Sequence, residues 1–354
     1  MPHLDGAPVP HTESVGATHR LDLSRLSRWL AGRLPGVASA ISLRQFSGGQ
    51  SNPTFLLQSG GLRWVLRKRP SGALLPSAHQ IDREYRVMAA LAHTDVPVPA
   101  MRLFCDDPEV IGTPFYVMSY LEGRVLRSAS LAEVPREQRA AHYQAMSDTL
   151  ARLHLVDVAA AGLAGFGKPG DYFARQLARW ARQTEASPGP RIPAMDWLIE
   201  WLPRNVPEDR ATALTHGDFR IDNLVFHPAL PQIIGVLDWE LSTLGHPLAD
   251  AAYACLAWHL PPGELKLSGL AGLDLAALGI PSEQDFLARY CARTGRKAIS
   301  GWSFYLAFSL FRLAAIAHGI AARAAQGNAS SSDAARVGAL AADLAARGKA
   351  LAAG

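Results

Sequence analysis

Cysteine is scarce in this sequence. The three present, Cys105, Cys255 and Cys291, stand far apart and form no CxxC pair. That spacing excludes a disulfide framework and a structural zinc site, and it reads as isolated thiols in a reducing, cytoplasmic compartment. Charge is sparse as well: Asp, Glu, Lys and Arg make up 19% of the chain, with a net charge of +4. No stretch combines dense Lys or Arg with aromatic residues, which argues against a nucleic-acid surface. Long apolar runs are missing too. The most apolar stretch, residues 301–311, is ended by Arg312, too short to span a bilayer, so no membrane association is expected. Residues 1–20 have no apolar core of signal-peptide length and read as a flexible tail. No repeat of fixed period is present.

What is present is a chain of 354 residues, 49% apolar, long enough for two lobes. Leu23, Leu26, Trp29, Leu30 and Leu34 share one face of a helix over 21–34, and Pro35 and Gly36 end it. Strand-like runs follow at 39–46, 54–58 and 62–67. Gly48–Gly49 and Gly60–Gly61 separate them, the second pair being a hairpin signal. A helix fits 78–93, and further strands fit 101–105 and 115–119. Residues 21–120 therefore read as an antiparallel sheet of about five strands with a helix inserted. Past Gly123 the pattern turns helical, over 136–156, 172–184, 193–202, 248–259, 282–294 and 302–326. One β island interrupts it, at 224–226 and 233–237. The fold expected is α+β: tail 1–20, a strand-rich N-terminal lobe 21–120 and a mainly helical C-terminal lobe 121–354.

The segment LTHGDFRIDNLVFHP carries the chemistry. Asp218 precedes Asn223 by five residues, an apolar hairpin follows, and its second strand ends at Asp238. Phosphoryl transfer needs those parts in that order: a carboxylate to orient the attacking hydroxyl and take its proton, then hard oxygen ligands for the magnesium on the nucleotide phosphates. Asp218 is the candidate base, and Asn223 and Asp238 are the candidate metal ligands. Upstream, FSGGQSNPTF places Gly48 and Gly49 where backbone can approach phosphate, with Gln50, Ser51 and Asn52 as hydrogen-bond donors.

HGDFRIDN matches the HGDxxxxN motif of aminoglycoside phosphotransferases and choline kinases. The chain resembles that family from about Phe46 to Ala254. FSGGQSNPTF, LRKRPSGALLPSAHQIDREY, DWELSTLGHPLAD and GNASSS resemble more narrowly the phosphotransferase-like domain associated with acyl-CoA dehydrogenases. The resemblance implies a bilobal protein-kinase-like fold and a kinase using ATP and Mg2+. It implies that Arg67 stands where the family has its phosphate-binding lysine, paired with Glu84 on the next helix, while strand alternation turns Lys68 to the other face. It implies adenine contacts from the carbonyl of Ser119 and the amide of Leu121, a loop-bracing role for Asp250, and core or bracing roles for His154 and His216.

The leading expectation is a small-molecule kinase for a hydroxyl group, with a hydroxyacyl-CoA or hydroxy acid as the acceptor suggested by the narrower resemblance. An aminoglycoside kinase is the alternative. It would need an acidic pocket for a polycation, and residues 169–210 and 261–294 carry arginines beside scattered acids. A nucleotide-binding pseudokinase is the third reading, kept open by Arg67.

Overall fold

The computed structural model describes residues 12–16, 21–37, 40–47, 52–70, 80–168, 170–263, 269–325 and 334–354. The chain divides into two compact units, one comprising Met1–Glu122 with Gly235–Glu240, the other Gly123–Ile234 with Leu241–Gly354.

The first unit is built on a six-stranded antiparallel sheet. Its strands are β1 (Thr12–Glu13), β2 (Ser42–Phe46), β3 (Thr54–Ser59), β4 (Leu62–Lys68), β5 (Met101–Cys105) and β6 (Phe115–Ser119), in the order β1-β2-β3-β4-β6-β5. Gly60 and Gly61, with φ of 54° and 80°, form the two-residue turn between β3 and β4. Positive φ at both positions matches the twist of the strands they join.

On one face of the sheet, Phe55, Leu57, Trp64, Leu66, Phe115 and Val117 pack beneath α1 (Leu23–Leu30) through Leu26 and Leu30. Each fully buried Leu or Phe there contributes about 1.5–3 kcal/mol. Side chains alternate along a strand. Arg67 is therefore turned away from that core and toward α2 (Ile81–Leu91), while the next residue, Lys68, is buried with Nζ donating to the Arg69 carbonyl at 3.4 Å.

The segment read as a tail contributes the sixth strand. Thr12–Glu13 pairs with β2, and Arg44 secures it through the Thr12 hydroxyl and carbonyl at 2.9 and 3.0 Å. A short helix, α3 (Pro108–Ile111), follows β5. Two paired residues and a four-residue helix are too short to show a period, so neither was foreseen.

The second unit is mainly helical: α4 (Arg136–His154), α5 (Tyr172–Ala186), α6 (Pro193–Arg204), α7 (Pro247–His259), α8 (Leu275–Leu278), α9 (Glu283–Thr294), α10 (Trp302–Ala325), α11 (Ala334–Ala339) and α12 (Ala341–Ala353). Its strands are short. The hairpin of β9 (Leu224–Phe226) and β10 (Ile233–Val236) is joined by β7 (Arg124–Val125), and β8 (Ala213–Thr215) pairs with β11 (Thr243–Gly245).

Around α10 pack α5, α6, α7, α11 and α12. The helical pattern expected over 302–326 is present as α10. It contains 22 residues, Trp302–Arg323, apolar and long enough by composition to cross a membrane, and most of them are buried by the surrounding helices. Arg312 lies on that helix and is turned toward the candidate site, which is why it does not break the packed face.

Candidate active site

In the second unit, the segment after β8 makes a tight turn at Gly217, where φ is 84° and a Cβ would lie 2.6 Å from the Leu241 carbonyl oxygen. Only glycine fits there. The backbone N–H groups of His216 and Gly217 donate to the Asp250 carboxylate at 2.7 and 2.9 Å. Asp250 stands in the first turn of α7, with its side chain 1% exposed.

Burial alone would push the Asp250 carboxyl up. The His154 hydrogen bond and the charge and backbone donor at His216 outweigh it and hold the group below the ordinary carboxylate range. His154 makes two bonds rather than the single one expected of a core histidine: Nε2 to Asp250 at 3.2 Å and Nδ1 to the Tyr290 hydroxyl at 2.7 Å. His216 Nδ1 accepts the Asp218 N–H at 3.2 Å, and Arg312 donates to the Gly217 carbonyl at 2.7 Å. The loop thus has these donors and this acceptor satisfied by fixed partners, of which Asp250 and His216 are buried and Arg312 half-buried.

Asp218 is positioned by this turn. The amide nitrogen of Asn223 donates to the Asp218 carbonyl at 2.8 Å and to its Oδ2 at 3.0 Å. Asn223 closes a 3-10 turn, Ile221–Asn223, that leads into β9. With its nitrogen engaged on Asp218, its carbonyl oxygen is the atom left for a hard cation. Arg220 Nε lies 3.3 Å from Asp218 Oδ1, and the buried Tyr253 hydroxyl also bonds Asp218. Arg220 and Tyr253 line a pocket with the side chains of Tyr143, Met146, Leu256 and Leu313.

In the first unit, Arg67 lies among acids. Its Nε is 3.0 Å from Glu84 Oε2, and a terminal nitrogen is 2.7 Å from Asp238 Oδ1. Glu84 is fully buried and accepts from the Tyr116 hydroxyl at 3.0 Å and the Asn52 amide at 2.7 Å. Burial works against the Arg67 charge, yet Glu84, Tyr116, Asp238 and Glu240 together raise its proton affinity, so it stays a cation. Burial pushes Glu84 upward against the pull of Arg67.

Asp238 has a φ of 66°. Aspartate is among the few L residues that adopt this conformation readily, and here it turns the carboxylate toward Arg67. Glu84, Asp238 and Glu240 each offer an oxygen, all within 4.8 Å of one another. Asp238, at 34% side-chain exposure, can still meet a metal ion. Carboxylate and amide oxygens suit magnesium, so the Asp238 carboxylate in the first unit and the Asn223 amide oxygen in the second are each a donor of the right kind.

The sequence-derived residues fall into two sets. Arg67, Glu84, Asn52 and Asp238 come together in the first unit, and Asp218 and Asn223 in the second. Asn52 was expected to donate to phosphate. It is fully buried instead and gives its amide to Glu84, because a buried carboxylate needs donors. Gly48, Gly49, Gln50 and Ser51 lie outside the described residues. Ser119 ends β6, where its N–H donates to the Ala100 carbonyl and its hydroxyl accepts the Ala100 N–H, each at 2.9 Å, and Leu121 follows in the irregular segment beyond. Sequence reasoning missed Arg220, Tyr253, Arg312, Tyr116 and Glu240. Of these, Arg220 lies inside the HGDFRIDN motif and Glu240 two residues past Asp238, so both were within sight.

The profile of the phosphotransferase enzyme family matches residues 42–308. Acyl-CoA dehydrogenase family member 10 of Mus musculus is 46% identical over 94% of this chain and 31% of its own length. Acyl-CoA dehydrogenase family member 11 of Gallus gallus is 46% identical over 91% of this chain and 42% of its own. The chain thus spans less than half of these curated relatives. A solved structure from Ralstonia eutropha, named a "putative aminoglycoside phosphotransferase", is 46% identical and covers 94% of this chain and 99% of its own, with a TM-score of 0.85. A microcompartment-associated aminopropanol kinase, at 20% identity over 94% of this chain and 97% of its own, has a TM-score of 0.60 and shows likeness of fold alone.

Proposed function

The chain belongs to the phosphotransferase enzyme family and has the protein-kinase-like α+β fold, and from that premise we propose that it transfers the γ-phosphoryl group of magnesium-ATP to a hydroxyl of a small metabolite. The observation that carries this reading is Asp218, a carboxylate on a loop whose backbone is tied to buried Asp250 and whose Oδ2 is held by Asn223.

Asp218 orients the acceptor hydroxyl and takes its proton. Asn223, through its carbonyl oxygen, and Asp238, through its carboxylate, are assigned to magnesium. The ion, when bound, neutralises charge on the phosphate oxygens. Arg67 binds phosphate as a permanent cation, with Glu84 fixing its orientation, and its fork of donors can serve a carboxylate and a phosphate together. Gly48, Gly49, Gln50 and Ser51 complete the phosphate-binding segment in this assignment, Asn52 serves Glu84 instead, and the Ser119 carbonyl and Leu121 amide take adenine.

The acceptor we propose is a hydroxyacyl-CoA or hydroxy acid. The two animal relatives support this, since the matching segments belong to proteins named as acyl-CoA dehydrogenase family members. The test is ADP release with hydroxyacyl-CoAs, hydroxy acids and aminoglycosides side by side. One of the first two classes should be phosphorylated. Asp218→Asn should lower turnover by about 10²–10⁴-fold, the usual contribution of a positioned base, and leave ADP affinity within twofold. Turnover unchanged by that substitution would remove Asp218 from the mechanism, and nucleotide binding without transfer to any class would favour a pseudokinase.

A further inference from the structure

Two charged residues inside the HGDFRIDN segment, Arg220 and Asp222, have no part in the assignment above. Arg220 is extended, with φ −133° and ψ 162°, and immediately precedes the 3-10 turn. Ile221 is buried, whereas Arg220 and Asp222 are partly exposed and close enough to pair. The Arg220 guanidinium spans two carboxylates, with Nε 3.3 Å from Asp218 Oδ1 and a terminal nitrogen 2.8 Å from Asp222 Oδ2. All three side chains are 20–23% exposed, so the group is partly shielded from water.

Asp218 is held by hydrogen bonds from Asn223 and Tyr253 and lies in an ion pair with Arg220. Asn223 holds Oδ2 at 3.0 Å and Arg220 faces Oδ1. The hydrogen bonds from Asn223 and Tyr253 bring no positive charge to the carboxylate, and the Arg220 guanidinium supplies it. Its attraction for Oδ1, an ion pair at 3.3 Å, adds to those hydrogen bonds in favouring one carboxylate orientation. Arginine suits the task because its planar fork presents one edge to Asp218 and another to Asp222, which an ammonium cannot do in fixed geometry. A long side chain held at one end only would lose the orientation, since its rotamer entropy favours wandering. Asp222 supplies the second hold.

We propose that Arg220 is a positioning residue that fixes the Asp218 carboxylate, and that Asp222 acts through Arg220 to keep it in place. The inference rests on the assignment of Asp218 as the base. A displacement of about 1 Å in a positioned catalytic group lowers turnover by about 10²-fold, which sets the size of the effect expected.

The experiment compares the full chain with Arg220→Met, Arg220→Lys, Asp222→Asn and the double variant Arg220→Met/Asp222→Asn. Crystal structures report the Asp218 side-chain conformation. Thermal unfolding, ADP affinity, and ADP release from magnesium-ATP with 3-hydroxybutyryl-CoA or water as acceptor are measured alongside. In Arg220→Met the Asp218 carboxylate should leave its rotamer or lose Asn223, and turnover should fall by about 10–100-fold, within the effect of misplacement. ADP affinity should stay within twofold. Arg220→Lys should recover part of the loss, and Asp222→Asn should add nothing once Arg220 is gone.

An unchanged Asp218 rotamer in Arg220→Met would overturn the proposal, as would full additivity of the two substitutions. Should Arg220→Met not fold, Asp222→Asn alone decides: Arg220 leaving Asp218 supports the proposal, and Arg220 staying at Asp218 with normal turnover overturns it. Wild type and Asp218→Asn releasing ADP equally would instead sink the proposed reaction, while the crystal comparison would still judge Arg220.

Discussion

The loop around Asp218 and the cluster around Arg67 are held by different forces. The first is anchored through backbone: two N–H groups on Asp250 and one carbonyl on Arg312. The second is held by ion pairs between side chains, Arg67 with Glu84 and Asp238. Backbone hydrogen bonds to a buried carboxylate fix the path of the chain and have no easy substitute. Ion pairs at the end of a strand are exchangeable, because a phosphate can replace a carboxylate on a guanidinium. In the proposed reaction Asp218 would have to stand still, whereas Arg67 would have to let go of one partner to take a phosphate.

The largest effect expected is on the loop. Asp250→Ala removes the acceptor for His216, Gly217 and His154 at once. Leaving buried donors without their acceptor in this way costs about 1–3 kcal/mol for each, read as a lower urea midpoint with unchanged slope. A loss below about 1 kcal/mol, the worth of an ordinary hydrogen bond, would mean that the loop does not depend on Asp250, and the contrast would collapse.

A second test uses pH. His246 caps α7, the helix that carries Asp250, by accepting the Leu248 N–H on Nδ1. Burial is the largest influence on it and lowers it, with Arg296 adding to the effect and Asp209 opposing, to about 4. Between pH 6.5 and 4 the unfolded chain takes up a proton that the folded chain refuses. Stability therefore falls as pH drops through that window, by about 3 kcal/mol for a shift of this size, and no further loss comes from this group below it. Asparagine is a good helix cap that does not titrate in this range. His246→Asn should thus flatten this part of the profile while keeping the fold. A profile as steep as that of wild type would assign the acid sensitivity elsewhere.

The smallest effect falls on the ionic cluster. Arg67→Lys keeps one positive charge and loses the fork, so ADP should bind about tenfold more weakly, equal to about 1.4 kcal/mol. The loss should change little with salt, because both side chains carry the same charge and screening acts on both alike. Equal affinity for the lysine variant would show that charge alone matters at that position. A loss of stability larger than the loss of affinity would make Arg67 mainly a partner for buried Glu84.

Much of this was legible in the sequence, for reasons tied to length and period. The hairpin at Gly60–Gly61 needed only the two glycines. The helix of Arg136–His154 and the strand of Phe115–Ser119 have runs long enough to show their spacing. Arg67 could be turned away from the core by counting, since Leu66 had to face it. The strands Thr12–Glu13, Ala213–Thr215 and Thr243–Gly245 were not legible, because two or three residues carry no pattern and only a partner strand makes them β.

Sequence alone determined the spacing of Asp218, Asn223 and Asp238, the glycine in the loop and the alternation that separates Arg67 from Lys68, since each is a matter of covalent order and backbone sterics. It did not determine that Asn52 would be buried on Glu84, that His154 would join Asp250 to Tyr290, or that Arg220 would bridge Asp218 and Asp222. Those depend on which side chains tertiary packing removes from water. A polar group cut off from solvent takes the partner within reach, and that partner is set by the fold, not by its distance along the chain.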